Sequence, residues 1–142
     1  ENVYLQSRQD TYPKRRGLTR VKEFIEYGIN VAFAQDSIND PWYPMGNGNM
    51  MNILDNGIHL AQIMSSDDVK TNFDLITYNG ARCMNIQDSY GLEVGKAANF
   101  IVLNEDSVYE AIRKRVDVLA SVRNGDFLFR RKEMAYSIPL SL

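Results

Sequence analysis

The feature that most limits what this chain can fold into is the apolar run at residues 29–34. It carries Ile29, Val31 and Phe33 and lies between a glycine and a long stretch of breakers. A run this short and this apolar fits a strand buried on both faces, and such strands belong to parallel sheets covered by helices. A helix is expected before it: from Thr19 the apolar positions Val21, Phe24 and Ile25 share one helical face, and Gly28 ends it. Residues 35–48 then break every pattern, with Asp36, Asp40-Pro41, Trp42, Pro44, Gly46 and Gly48. A loop at the carboxyl end of a buried parallel strand is where α/β folds place their chemistry.

Further along, Met50, Ile53, Leu54, Ala61 and Met64 recur at helical spacing and predict a long helix. Ser65-Ser66-Asp67-Asp68 supplies N-caps and first-turn acids for another. Its apolar face is Val69, Phe73, Ile76 and Met84, with Gly80 expected to allow a close helix approach. The last third changes character. Residues 91–96 are turn-rich, residues 100–103 form a compact strand, and a short helix with Val108, Ala111 and Ile112 begins near Asp106. Val116, Val118, Ala120 and Val122 alternate, and Asn124-Gly125 turns the chain into Phe127 and Phe129, a strong hairpin signal. At the other end, residues 4–7 are a short strand candidate, while residues 10–17, with Pro13 and Lys14-Arg15-Arg16 before Gly17, read as an exposed loop. The pattern is α/β: βα units followed by a small antiparallel piece, with no fixed-period repeat.

Composition narrows the function classes. A length of 142 residues, 44% hydrophobic, allows one domain with a sizeable core. A net charge of −2 gives no electrostatic footprint for nucleic acid. No apolar run approaches the roughly 18 residues that would span a membrane. One Cys and one His exclude an internal disulfide framework and a zinc-finger set. A cytoplasmic setting is expected. Residue 1 is Glu rather than Met, so the chain is expected to begin inside a longer reading frame or after a cut. Its start also fits the Glu-x-x-Tyr-x-Gln-Ser pattern of a tag-removal protease.

Asp36 is the first candidate for chemistry. A carboxylate just past a buried parallel strand sits at the mouth of the sheet, where it can bind a metal or move a proton; the plainer alternative is a loop former near Pro41. Trp42 and Tyr43 offer an aromatic wall for a flat substrate, or packing under a Pro-rich loop. Asp40, before Pro41, is expected to fix a turn. His59, alone on its helix, reads as structural, Lys14-Arg15-Arg16 as a solvated charge run, and Cys83 as a small hydrophobe. Gly46-x-Gly48 lacks the rest of any phosphate-binding fingerprint. A single carboxylate cannot hold a catalytic zinc, which needs three protein ligands.

At the loop after the apolar run a resemblance emerges. Gly28-Ile29-Asn30-Val31-Ala32-Phe33-Ala34-Gln35-Asp36-Ser37 followed by Asp40-Pro41-Trp42-Tyr43-Pro44-Met45-Gly46 resembles the last barrel strand of the bacterial cytosine deaminases, in the amidohydrolase superfamily. The likeness extends upstream through Asn2-Val3-Tyr4-Leu5-Gln6-Ser7-Arg8 and Asp10-Thr11-Tyr12-Pro13-Lys14-Arg15-Arg16-Gly17. Downstream it runs to Leu92-Glu93-Val94-Gly95-Lys96-Ala97-Ala98-Asn99-Phe100-Ile101-Val102-Leu103. It covers about residues 2–132 and makes the protease match at the start coincidental.

The resemblance implies the end of a TIM-type (β/α)8 barrel over residues 1–90 and a segment of a small β-sandwich domain over residues 91–142. It implies hydrolytic deamination of a pyrimidine or similar cyclic amidine, with release of ammonia and use of one divalent metal, iron or zinc. Asp36 aligns with the family's last metal ligand, which also takes the proton from water, and Trp42 with an aromatic residue lining the pyrimidine pocket. The other ligands, an early His-x-His and a middle His, belong to segments outside this chain. Reference members carry His-Asp-Asp where this chain has Gln35-Asp36-Ser37, so the residue that helps read the ring edge is here Ser37, an uncharged donor and acceptor. Cytosine, isocytosine, methylated cytosine and creatinine all stay open. The partners implied are a nucleobase-like small molecule, and either further copies of the chain or its missing N-terminal part, with no nucleic acid or membrane. The alternative is that the 142-residue chain by itself is a non-catalytic fragment or assembly piece.

Overall fold

Among the described residues, 2–132 of this computed structural model, the chain forms six short helices, a 3-10 turn and three strands. The helices are α1 (Asn2–Leu5), α2 (Val21–Glu26), α3 (Met50–Ala61), α4 (Ser66–Asn72), α5 (Tyr78–Cys83) and α6 (Val108–Arg113), with the 3-10 turn at Phe73–Ile76 between α4 and α5. The strands β1 (Phe100–Leu103), β2 (Val118–Arg123) and β3 (Asp126–Arg130) make one antiparallel sheet in the order β1-β2-β3. The described residues thus form a small α/β unit with one three-stranded antiparallel sheet.

The core is built on α3. Asn49 caps it, its side chain accepting from the Met51 N–H at 3.0 Å. Met51, Leu54 and Ile58 form the buried stripe, and Leu54 is wholly inaccessible. They meet Val21 of α2, Val69 of α4, Leu75 of the 3-10 turn and Ala111 and Ile112 of α6 in one cluster. The buried stripe is therefore rotated from the expected one: Met50 and Ile53 are half-buried and Met64 is exposed.

Local signals carried their elements. Gly28, at φ +73°, follows α2, its N–H bonding Ile25 O and the Ile29 N–H bonding Phe24 O, both at 2.9 Å. That pair of bonds is a left-handed helix ending suited to glycine. Of the expected α2 face, only Val21 is buried; Phe24 and Ile25 are largely exposed. Asn124 and Gly125 both take positive φ, 52° and 88°, and join β2 to β3 as a tight hairpin.

Ser65 and Asp68 close a reciprocal cap on α4. The Asp68 N–H donates to Ser65 Oγ at 3.2 Å, while Asp68 Oδ2 accepts from the Ser65 N–H and hydroxyl. The Ser65 hydrogen bonds hold the Asp68 carboxyl below its ordinary value of 3.8. A lowered folded value stabilises above the ordinary one and is lost as pH falls through it. Amide exchange at α4 is therefore expected to quicken as pH drops below 3.8, after correction for intrinsic rates; protection unchanged through that window would contradict the cap's role.

Four expectations are corrected. Residues 4–7 are no strand: α1 and a following turn occupy them, closed where the Asp10 N–H bonds Ser7 O at 3.2 Å. Residues 29–34 belong to no strand and are not buried on both faces, because no described segment supplies a ladder partner. Gly80 faces open space rather than a neighbouring helix. Met84 is exposed, and the α5 contact with the interior is made by Ala81. No helix among the described residues is long and apolar enough to cross a membrane.

Candidate active site

The segment at residues 29–36 is held from one side. The Phe33 N–H donates to Leu75 O at 2.7 Å, and Asn79 Nδ2 donates to Val31 O at 2.8 Å. Asn30 Nδ2 donates to Asn79 O at 3.1 Å and to Cys83 Sγ at 3.2 Å. Cys83 is exposed and serves as an acceptor here, which corrects its reading as a packed hydrophobe.

The segment ends in a sharp reversal. The Ser37 N–H bonds Gln35 O at 2.9 Å across Asp36, whose φ is +63°. A three-residue turn with positive φ at its centre is a strained conformation, which Asp tolerates better than most residues. It costs of order 1–3 kcal/mol, and such strain clusters at functional sites. Asp36 is exposed at the apex and lines a cavity of about 310 Å³ whose apolar wall includes Leu18, Val21, Val31, Phe33 and Leu60.

Ser37, next in the chain, is buried. The loop folds back onto it so closely that a Cβ at Gly46 would overlap the Ser37 carbonyl oxygen and lie 3.0 Å from Ile38 Cα. Asp40 fixes the loop as expected: its Oδ1 accepts from the N–H groups of Trp42 and Tyr43 at 3.0 and 2.9 Å. Tyr43 meets Tyr4 edge-on at 6.2 Å. Trp42 is 65% exposed and, like Ser37, lines no described cavity. Of Asp36, Ser37 and Trp42, only Asp36 reaches the apolar cavity.

Other candidates have structural work. His59 Nδ1 lies 2.7 Å from Asp55 O, one helical turn back, and the ring is half-exposed. Lys14 Nζ and Arg16 Nη1 donate to the carbonyls of Arg8 and Gln6, and Arg15 pairs with Asp10 at 2.9 Å. Gln6 clasps the far end of that loop, donating to Gly17 O at 2.7 Å and accepting from the Gly17 N–H at 2.6 Å.

Sequence reasoning missed a polar cavity of about 250 Å³ lined by Gln35, Tyr43, Asn52, Asn56, Asp55 and Arg115. Buried Asp55 pairs there with Arg115 Nε at 2.8 Å across 60 positions, a contact without a local signal. It also missed Gly57, although a glycine inside a helix is a mark of close approach.

Among the described residues no three His, Cys, Asp or Glu side chains come together as a metal site. Asp36 is one carboxylate, and a catalytic metal needs three protein ligands and an open position. The residues present do not by themselves fit such a centre.

A segment ending in an exposed carboxylate, backed by helices and followed by a small antiparallel sheet, is an α/β arrangement with a carboxylate at a loop. Comparison with known proteins gives the family. Residues 1–129 match the amidohydrolase family model, and the chain belongs to that family. Crystal structures of 5-methylcytosine deaminase from Klebsiella pneumoniae, liganded with phosphonocytosine or 5-fluorocytosine, are 46% identical and cover 96% of this chain and 33% of theirs, at TM-scores of 0.86 and 0.88. The N-isopropylammelide isopropyl amidohydrolase of Pseudomonas sp. (strain ADP) is 34% identical over 110 residues, 78% of this chain and 27% of that protein. A Burkholderia multivorans N-isopropylammelide isopropylaminohydrolase shares the fold at a TM-score of 0.71 and 22% identity. The chain spans about a third or less of the length of these relatives.

Proposed function

We propose that the whole protein hydrolytically deaminates a pyrimidine, with 5-methylcytosine the first substrate to try, and that this chain supplies Asp36 as its proton acceptor. Asp36 at the apex of a strained turn on the cavity carries the reading. Water adds to the amine-bearing ring carbon; Asp36 takes a proton from it. The C–N bond then breaks and the amine leaves, protonated, as ammonia. The divalent metal, zinc or iron, is proposed for the whole protein only, with Asp36 as one of its ligands. Ser37 would read the ring edge with a hydroxyl that donates and accepts without charge. Trp42 would close over the ring once the loop is covered. Residues 1–90 would form the last βα units of a (β/α)8 barrel and residues 91–142 part of a small β-sandwich domain. The exposed Phe127, Leu128 and Phe129 of β3 suit a second layer there.

The test is ammonia release by the full reading frame from 5-methylcytosine, cytosine, isocytosine and creatinine. Release from a pyrimidine supports the reading, and release from none of the four overturns it.

The second reading is that these 142 residues alone are a non-catalytic piece, which the absence of a three-ligand cluster among the described residues favours. Tight stoichiometric zinc on the chain alone would contradict it. In either case residues 29–36 present backbone groups that want a ladder. By light scattering the isolated chain is expected to run well above 16.3 kDa or to capture the rest of the protein; a monodisperse monomer of that mass would count against this.

A further inference from the structure

The apolar wall of the Asp36 cavity contains one residue whose identity no local rule explains. Gly57 is the eighth residue of the twelve-residue helix α3, where glycine weakens a helix relative to alanine. No positive φ calls for it there. What calls for it is the ring of Phe33: a Cβ at Gly57 would lie 2.6 Å from Phe33 Cδ2, 3.0 Å from Cζ and nearer still to Cε2. Those are ring atoms on a half-buried side chain packed against the core, not the free end of a flexible chain.

Phe33 is also fixed on its backbone, through its N–H to Leu75 O at 2.7 Å. Its ring against Gly57 and its amide against the 3-10 turn therefore set the depth of the segment relative to α3. Three residues further on is Asp36, within about 10 Å by chain reach. The reversal at Asp36 leaves little slack to absorb a shift, because it is already held in a sparsely populated conformation. Gly57, Phe33 and Asp36 all line the same cavity.

We propose that Gly57 is a positioning residue: by leaving room for the Phe33 ring it sets where the segment at residues 29–36 holds Asp36. This rests on the reading of Asp36 as the catalytic carboxylate. Adding one methyl group, in Gly57→Ala, pushes the ring and segment off α3 and moves the carboxylate, and displacement of a reacting group by about 1 Å costs on the order of a hundredfold in rate.

The experiment uses the full-length protein and compares Gly57→Ala, Gly57→Ala with Phe33→Leu, Asp36→Asn, and Gly57→Ala with Asp36→Asn. Ammonia release gives kcat and KM separately, and each variant is melted. Gly57→Ala is expected to lower kcat by about ten- to a hundredfold with KM little changed. Phe33→Leu, which trims the ring, is expected to restore most of it. On the Asp36→Asn background Gly57→Ala is expected to add no further loss. Wild-type kcat in Gly57→Ala overturns the proposal, as does a loss that Phe33→Leu does not relieve. An equal loss with and without Asp36 overturns the link through that carboxylate while leaving the reaction assigned. Full activity in Asp36→Asn sinks the underlying reading instead, and the proposal with it. Should Gly57→Ala not fold, the Phe33→Leu double variant decides alone: folded and active supports the proposal, unfolded or inactive overturns it.

Discussion

Asp36→Asn is expected to reduce ammonia release by the whole protein by about 10²- to 10⁴-fold, the usual worth of a positioned proton acceptor. The substitution is nearly isosteric, so it leaves the cavity wall in place. It also respects the backbone: Asn enters the left-handed region as readily as Asp, and the turn closed by the Ser37 N–H on Gln35 O survives. What is lost is a carboxylate that can take a proton from water. Asp40→Asn is the control in the same loop. Its Oδ1 accepts two backbone N–H groups, a job an amide oxygen also performs, so its activity is expected to stay near wild type. Steady-state ammonia release with a melting curve for each variant makes the comparison. An Asp36→Asn protein as active as wild type would remove the carboxylate from the mechanism.

What the sequence made legible was local. The strand at residues 100–103 and the hairpin at Asn124-Gly125 appear as expected, because alternation and turn chemistry act over a few residues. The cap at Ser65 and the stop at Gly28 follow from the same short-range hydrogen bonds. What failed was distant. Residues 29–34 have strand composition but no ladder, since a strand is made by its neighbours and none of the described strands pairs with it. The Asp55–Arg115 pair joins α3 to the turn after α6 and leaves no periodic trace. At the candidate site Asp36 is singled out by the rule that sheet chemistry sits past a strand's carboxyl end, although no strand forms before it among the described residues. Its strained turn has no such signal, because a positive φ at a single Asp leaves no pattern in the sequence. Trp42 is an aromatic candidate from its place in the loop and Ser37 comes from the resemblance; Ser37 is buried and Trp42 exposed.

The packing that supports this site depends on one side chain more than on others. Leu54 is wholly inaccessible, stands near the middle of α3 and belongs to the buried cluster that α3 shares with residues of α2, α4, the 3-10 turn and α6. Replacing it with alanine removes buried methyl groups and leaves a cavity in that cluster. The expected cost is about 2–5 kcal/mol, the range for buried leucines whose surroundings relax only partly. Against a total stability of roughly 5–15 kcal/mol that is a large share. Because Gly57 and Leu54 ride on the same helix, part of the loss should appear as looser seating of Phe33 before global unfolding, read as faster exchange of the Phe33 amide. Leu92→Ala, at a 71% exposed position, is the comparison and should change stability by no more than about 0.5 kcal/mol. Urea melts of the whole protein measure both. A Leu54→Ala variant as stable as Leu92→Ala would mean that α3 is not the centre of the core and that the site is held from elsewhere.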